Sequence, residues 1–367
     1  MSPTPTLAFA RVLEHLELES QIGGYEAAET VESELGAVTD SVARLLGADG
    51  TEVTITESAT AAWEWALWAM AETFGWGTDD RILLDRFAYA TMDASLRRLA
   101  LSHRVELVEV ASQADGTIDP VALSTALDDR VRLVLVTHMP THVGTVTDAF
   151  EIARLVSGSQ AIFALDIAQT VGQMPVDVRA IGCHVAFAPG RKFVRAPRGT
   201  ALLYVQQALA DQLIPLTPSF GTEFDEGARR FALAPGLRRF DQYESAFAVR
   251  LGLGVAVRHA MQIGLGQIAE TVVQRSREVS ELLSSFDGIS LVGGLDSRGI
   301  VSFVHASLHP NEIRARLASD GVNVWVNTPV GTPRDERPHT LPSVRVSPHY
   351  VTTDDDVSKL HAALARL

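Results

Sequence analysis

The spacing of apolar positions switches repeatedly along the chain between a helical and an extended period. From residue 7 to 46 it is helical, with Leu7, Val12, Leu13 and Leu16 and then Val31, Leu35, Val38 and Val42 around the pair Gly23 and Gly24. This predicts a helix, a Gly-Gly-Tyr turn and a second helix. Glu52 to Thr56 alternates as a strand does and leads into a long helix through Trp63, Leu67 and Met70 to about Phe74. Further strands are expected at Arg81–Leu84, Val105–Val110, Val131–Val136, 161–165 and 184–188, separated by helices reaching Ser102 and covering Pro120–Leu127 and Thr147–Val156. Such alternation predicts an α/β fold with a mostly parallel sheet and helices on both faces. After Val205 the pattern is irregular over 208–240, and the amphipathic stretch from Tyr243 to Ala269 reads as one helix. Beyond it comes a small α+β lobe. Its helices are expected at 271–285, at Pro310–Ala318 and from Asp354, with strands near Ile289–Val292, Gly299–His305, Val322–Val326 and Ser343–Val346. The expected organisation is an N-terminal helical segment (1–35) packed with the small lobe, a large domain (36–265) and a small C-terminal domain (266–367).

In a sheet of this kind the loops at the carboxyl ends of the strands form the ligand site. Ser58–Thr60, Phe87, His138–His142, Asp166 and Lys192 all fall in such loops. Small and hydroxylated residues at a helix start, here Ser58, Ala59 and Thr60, leave backbone N–H groups able to hold a phosphate, although a plain N-cap has the same sequence. His138 and His142 stand four apart, but Pro140 argues against a helix and no third ligand is apparent, so a cofactor-pocket role is expected rather than a metal site. Trp63, Trp65 and Trp68 are expected as core aromatics, and Asp354–Asp356 as a solvated helix start.

Composition narrows the chemistry. The chain holds 31 Lys+Arg, of which only Lys192 and Lys359 are lysines. A chain that writes nearly every cation as Arg has little use for Lys unless the residue must lose its proton or form an imine, which Arg does not do. Lys359 lies in a polar C-terminal helix. Lys192 lies between two strand-like runs, 26 positions after the strand-end acid Asp166. A phosphate-holding helix start, a buried acid and a lone lysine together match the three handles of pyridoxal phosphate: its phosphate, its ring nitrogen and its aldehyde. The net charge of -14 argues against nucleic-acid and anionic-membrane partners and favours a small-molecule substrate. Cys183 is the only cysteine, at the edge of a strand-like run, so no internal disulfide can form and a buried, inert thiol is expected. With no apolar run of membrane-spanning length and no targeting signal, a cytoplasmic protein is expected.

LeuAspIleAlaGlnThrValGly (165–172), ProValAsp (175–177), GlyArgLysPhe (190–193), ProArgGly (197–199) and ArgValSerProHisTyr (345–350) resemble the class V aminotransferase family, pyridoxal phosphate enzymes of fold type I. GlyGlyTyrGluAlaAlaGlu (23–29), the ArgLys pair and PheAspGlnTyrGluSer (240–245) resemble most its hercynylcysteine sulfoxide lyase and isopenicillin N epimerase-like branch. The resemblance implies Lys192 as imine lysine and general acid/base, Asp166 on the pyridine nitrogen and Gln169 on the ring hydroxyl. It places Ala168 beneath the ring and Phe87 stacked above it. Ser58, Ala59, Thr60 and Arg191 would hold the phosphate, the last more heavily because Pro189 stands where many members have Ser. Arg345 would take the substrate carboxylate as a bidentate fork. A homodimer is implied. The implied reaction is C–S β-elimination from an S-substituted cysteine or its sulfoxide, giving a thiol or sulfenic product, pyruvate and ammonia. The alternative keeps the cofactor and changes the bond broken, to decarboxylating deamination, epimerisation or transamination, in a secondary-metabolite (antibiotic) setting.

Overall fold

Strand-forming runs that are apolar on both faces become the inner strands of a sheet. A computed structural model describes residues 3–113, 115–217, 219, 222–225, 230–336 and 342–367. The chain opens with α1 (Thr6–Ile22) and α2 (Gly24–Leu46), then β1 (Val53–Thr56), α3 (Ala59–Phe74), β2 (Arg81–Leu84), α4 (Ala90–His103) and β3 (Glu106–Glu109). Next come α5 (Pro120–Ala126), β4 (Val131–Thr137), α6 (Ala149–Val156), β5 (Ile162–Asp166), α7 (Val178–Ile181), β6 (Val185–Pro189), β7 (Ala201–Val205) and α8 (Gln207–Ala210). A hairpin of β8 (Thr222–Asp225) and β9 (Arg230–Leu233) precedes α9 (Phe247–Ile263) and α10 (Leu265–Ser284). The remainder is β10 (Ile289–Val292), β11 (Val301–His305), α11 (Pro310–Ser319), β12 (Trp325–Asn327), β13 (Ser343–Val346) and α12 (Asp354–Leu364).

The large sheet has seven strands in the order β1-β7-β6-β5-β4-β2-β3, parallel except for β7, which runs against both neighbours. Alternation along each inner strand divides the core in two. Phe163, Leu165, Ala186 and Ala188 join the cluster on one face, while Ala164, Val185 and Phe187 join Trp63, Leu67 and Met70 of α3 on the other. Trp63 is fully buried with its ring 5.1 Å from that of Phe187, the core role expected of it. The small sheet is antiparallel, β10-β11-β13-β12, and buries Phe303 and Val344 against α10, α11 and α12. Asp354–Asp356 begin α12 behind the capping residue Thr353, as a helix dipole favours.

Two expectations are corrected. The helix expected from Tyr243 to Ala269 is two helices, because Gly264 takes φ 93° between α9 and α10, a conformation that interrupts a right-handed helix. The N-terminal segment packs chiefly along α9, not with the small lobe, and α2 runs without a break through residue 35. Ala8, Val12 and Val38 are buried there against Gly252 and Gly254 of α9, and Glu34 of α2 adds a bond from Arg11 of α1 at 2.7 Å. Of the irregular stretch 208–240, residues 218, 220–221 and 226–229 lie outside the described residues.

Gly172, in the loop after β5, combines φ 88° with close packing: an added Cβ would lie 2.5 Å from the Val194 backbone nitrogen, in the turn that follows Lys192. At Gly264 nothing lies within 4 Å of such a Cβ. Gly172→Ala is therefore expected to lower unfolding free energy by about 2 kcal/mol or more, and Gly264→Ala by about 1 kcal/mol, the cost of φ alone. Urea unfolding of the two variants checks the order.

Candidate active site

The carboxyl ends of β2, β4, β5 and β6 open into a cavity of about 940 Å³ closed on the far side by the small lobe. Ser58, Ala59, Thr60, Phe87, Asp166, Ala168, Gln169, Arg191, Lys192 and Arg345 all line it. Residues spread over the length of the chain thus face one space.

Asp166 is the last residue of β5, and its Oδ1 accepts the Ala168 N–H at 2.8 Å. Lys192 follows β6 in a tight turn, with its Nζ 5.9 Å from the Tyr89 ring centroid. Burial pushes the Asp166 carboxyl up, and Lys192 and the Ala168 N–H pull it partly back. Burial likewise pushes the Lys192 ammonium down to about 8, a shift that Asp166 opposes and that Arg191 and Arg345 reinforce. A lysine in this range is easily freed of its proton, as covalent and general-base chemistry requires.

Ser58 is the N-cap of α3, its hydroxyl accepting the Ala61 N–H at 3.1 Å. The cap and the anion site coexist, since the N–H groups of Ala59 and Thr60 precede the first intrahelical bond, Ala62 to Ser58. Arg191 and Arg198 add positive charge to the same cavity wall, and burial followed by the neighbouring Arg198 lowers the Arg191 guanidinium. On the opposite wall Arg345, on β13, donates from Nη1 to the Thr141 carbonyl at 2.7 Å and to its hydroxyl at 3.0 Å. Its buried Nε has no hydrogen-bond partner among the described residues, and burial lowers the guanidinium to about 10. That orphaned donor suits an incoming carboxylate. Gln169 donates to the same Thr141 hydroxyl at 2.9 Å, so Thr141 orients both.

The structure revises two assignments. Phe87 lines the cavity, but its ring is buried among Val143 and Val292 and meets the His142 ring edge-on at 5.3 Å. Tyr89, two residues on, offers its ring face to Lys192. His138 and His142 do not line the cavity, whereas Thr137, Met139 and Thr141 do; the chain bends after β4 and both imidazoles take partners away from the cavity. His138 bonds Thr170 Oγ1 at 2.9 Å, and burial lowers it to about 4. His142 bonds Asp335 at 2.6 Å. Tyr89, Thr141 and Arg198 were missed from sequence. Tyr89, an aromatic at the start of α4 in a loop already implicated, was within reach, as was Arg198 in the ProArgGly motif; Thr141 carries no signal of its own.

Asp85 at the end of β2 is the other buried acid here. It accepts the N–H of Phe87 at 2.7 Å and the N–H of Thr137, fixing the loop that leads to Tyr89. Burial, with Asp166 as a lesser contributor, pushes it up to about 7.

A buried acid, a lysine of lowered basicity and a helix start converging at the strand ends of this sheet define a pyridoxal phosphate enzyme of fold type I, and these residues fit that cofactor. The family profile described as Aminotransferase class-V matches residues 2–360, and the chain belongs to that family. It is 30% identical over 269 residues to a probable cysteine desulfurase of Methanothermobacter thermautotrophicus, covering 72% of this chain and 67% of that one. It is 24% identical to a probable cysteine desulfurase of Halalkalibacterium halodurans, over 89% of this chain and 80% of that one. The fold matches the apo cysteine desulfurase of Thermococcus onnurineus NA1 with a TM-score of 0.87 at 21% identity, covering 100% and 93% of the two chains. It matches the cystine C–S lyase C-DES, solved with its reaction product cysteine persulfide, with a TM-score of 0.88 at 20% identity over 99% and 94%. The protein is a pyridoxal phosphate-dependent enzyme of that family. Among the described residues no helix is long and apolar enough to cross a membrane.

The lowered basicity of Lys192 has a thermodynamic sign. In the unfolded chain a lysine keeps its proton to about pH 10.4, whereas in the folded chain it releases it near 8. Between those values the unfolded chain binds more protons, so the stability of the cofactor-free protein rises with pH across the window. Lys192→Met should therefore stabilise the cofactor-free protein at pH 7 by about 2 kcal/mol, an advantage that shrinks toward pH 10. Denaturant unfolding at pH 7 and pH 10 checks it, and an advantage independent of pH would contradict the assignment.

Proposed function

We propose that this enzyme is a C–S β-lyase acting on an S-substituted cysteine or its sulfoxide, as the resemblance to the hercynylcysteine sulfoxide lyase branch implies. One observation carries the choice over a desulfurase that takes sulfur onto its own thiol. The only cysteine, Cys183, is buried outside the cavity, and burial pushes its thiol up to about 12. The chain has no thiolate to accept sulfur, so the sulfur group departs into solution. The cavity also continues past Arg345 to Trp325, 54% exposed, with the Arg314 guanidinium 5.3 Å from its ring. That wall leaves room for a group on sulfur.

Ser58, Ala59, Thr60 and Arg191 would hold the cofactor's phosphate, Asp166 its ring nitrogen, and Tyr89 and Ala168 its two faces. When bound, pyridoxal phosphate supplies an electron sink conjugated to the substrate's Cα. Arg345, steadied by Thr141, grips the substrate carboxylate through its free Nε and so fixes which Cα bond faces Lys192. Lys192 Nζ takes the Cα proton. The Cβ–S bond then breaks with its electron pair leaving on sulfur, which takes up a proton and departs as a thiol, or as a sulfenic acid from a sulfoxide. The three-carbon remainder takes up water and leaves as pyruvate and ammonia.

A homodimer in the cytoplasm accompanies this reading. Phe9, Leu13 and Leu16 leave an exposed apolar row at helical spacing on α1, a surface that a second copy would cover.

The cofactor-loaded protein is expected to release pyruvate and a free thiol or sulfenic species from cysteine S-conjugates, identified by mass spectrometry. Lys192→Ala should lower kcat by at least about 10³-fold, the scale of a lost general base, whereas Cys183→Ala should stay within twofold of wild type. A product that keeps its C–S bond but has lost carbon dioxide or nitrogen would move the assignment to a decarboxylating deaminase or aminotransferase. Loss of turnover in Cys183→Ala with the fold intact would restore the desulfurase route.

A further inference from the structure

The turn carrying Lys192 contains a residue whose backbone and side chain have opposite preferences. Arg195 sits at φ 62°, a left-handed conformation that favours glycine, and is one of two non-glycine residues with positive φ among the described residues. Its N–H donates to the Lys192 carbonyl at 3.1 Å, so this conformation is part of the lysine turn itself. Its side chain, 9% exposed, is fixed at both ends of the guanidinium. Nε donates to the Pro3 carbonyl at 2.7 Å, Nη1 donates to the Tyr350 hydroxyl at 2.8 Å, and Cζ lies 5.3 Å from the Tyr350 ring centroid.

Tyr350 belongs to the short segment that leaves β13 just after Arg345. The same segment makes a second contact with the lysine turn. The His349 ring lies flat on that of Phe193, at 5.3 Å and 7°, with its Nε2 3.4 Å from the Phe193 carbonyl. The residue beside Lys192 and the residue three beyond it are thus both held by the segment that carries Arg345.

We propose that Arg195 is a positioning residue that sets the register between Lys192 and the carboxylate fork Arg345. Lys192 comes from the large sheet and Arg345 from the small one, and the substrate must place its carboxylate on one while presenting Cα to the other. Thr141 holds the guanidinium of Arg345 from the large domain, and the contacts behind the lysine turn set where Lys192 stands against it. Arg195 joins the two behind the lysine: its backbone is part of the lysine turn, and its guanidinium ties the turn to Tyr350 and to the chain's N-terminal segment. Misplacement of reacting groups by about 1 Å can cost on the order of 10²-fold in rate. The tether rests on the assignment of Lys192 and Arg345 given above, but not on which bond of the substrate breaks.

The test uses the cofactor-loaded protein with Arg195→Gly and Tyr350→Phe. Glycine suits the backbone and removes only the tether; phenylalanine keeps the ring and removes only the hydroxyl. Three readouts precede any turnover: thermal stability, the pH midpoint of the bound cofactor's visible absorbance, and the affinity for L-alanine from its absorbance change. Alanine has the carboxylate and the amine but no leaving group. Arg195→Gly is expected to melt several degrees below wild type, because relief of φ returns only part of what the lost bonds supplied. Its alanine Kd should rise about tenfold, its absorbance midpoint should move, and its kcat/KM on a cysteine S-conjugate should fall about 30-fold or more, of the order that misplacement costs. Tyr350→Phe should shift each in the same direction by less. Unchanged alanine affinity and midpoint in both variants, with melting alone affected, would reduce Arg195 to a stabilising contact and overturn the proposal. A wild-type protein that binds alanine yet cleaves no cysteine conjugate would refute the lyase assignment, while alanine and the absorbance midpoint would still decide the tether.

Discussion

The structure depends on one electrostatic constraint: a carboxylate and an amine share a site from which water is largely removed. Burial drives Asp166 and Lys192 toward their neutral forms, and each partly restores the charge of the other. Both charges remain costly even together, because burial takes more than either neighbour returns. Pyridoxal phosphate would relieve the conflict: Asp166 would hold its ring nitrogen and Lys192 would hold its aldehyde. The site is therefore built for an occupant.

Meeting that constraint decides how the rest is arranged. The parallel order of β2, β4, β5 and β6 gathers their carboxyl ends on one edge, so that loops from distant parts of the chain reach one space. The start of α3 supplies anion-binding N–H groups at that edge with no side-chain charge of its own. The small lobe contributes what the large sheet cannot, a guanidinium facing the lysine across the cavity. Its burial demands a support, and Thr141 provides it by accepting from Arg345 with both its carbonyl and its hydroxyl.

Much of this was legible in the sequence. Inner strands announce themselves as short continuous apolar runs, and Arg81–Leu84 and Ser343–Val346 fall where the pattern places them. Lys192 was legible because the chain is so poor in lysine, and Asp166 because it ends an apolar run. What failed depended on facing rather than on kind. Phe87 and Tyr89 share a loop, and only the fold shows that the first ring packs inward while the second meets Lys192. His138 and His142 look like site residues by type, yet they bond Thr170 and Asp335 while Thr137, Met139 and Thr141 line the cavity. The break at Gly264 was hidden for another reason. The apolar stripe continues across it, and a glycine within a helical pattern does not declare whether it will take positive φ.

Named relatives describe chemistry at sulfur, and the differences within that chemistry turn on where sulfur goes after its bond to carbon breaks. Taking it onto the enzyme requires a thiolate within reach of the substrate; releasing it requires only a leaving group and space for it. Cys183 occupies a position where the first is impossible: beside the sheet core, its thiol near the Val178 carbonyl at 3.7 Å and its proton held tightly by burial. The cavity wall at Trp325 and Arg314 supplies the second. On the proposed lyase reading, with Lys192 as the proton-transferring group and no internal sulfur acceptor, the remaining variable is the affinity of the far wall for the group that departs. On the same reading, specificity resides in the small lobe, on the strand beside the one that carries Arg345, where Trp325 and Arg345 stand opposite each other in register.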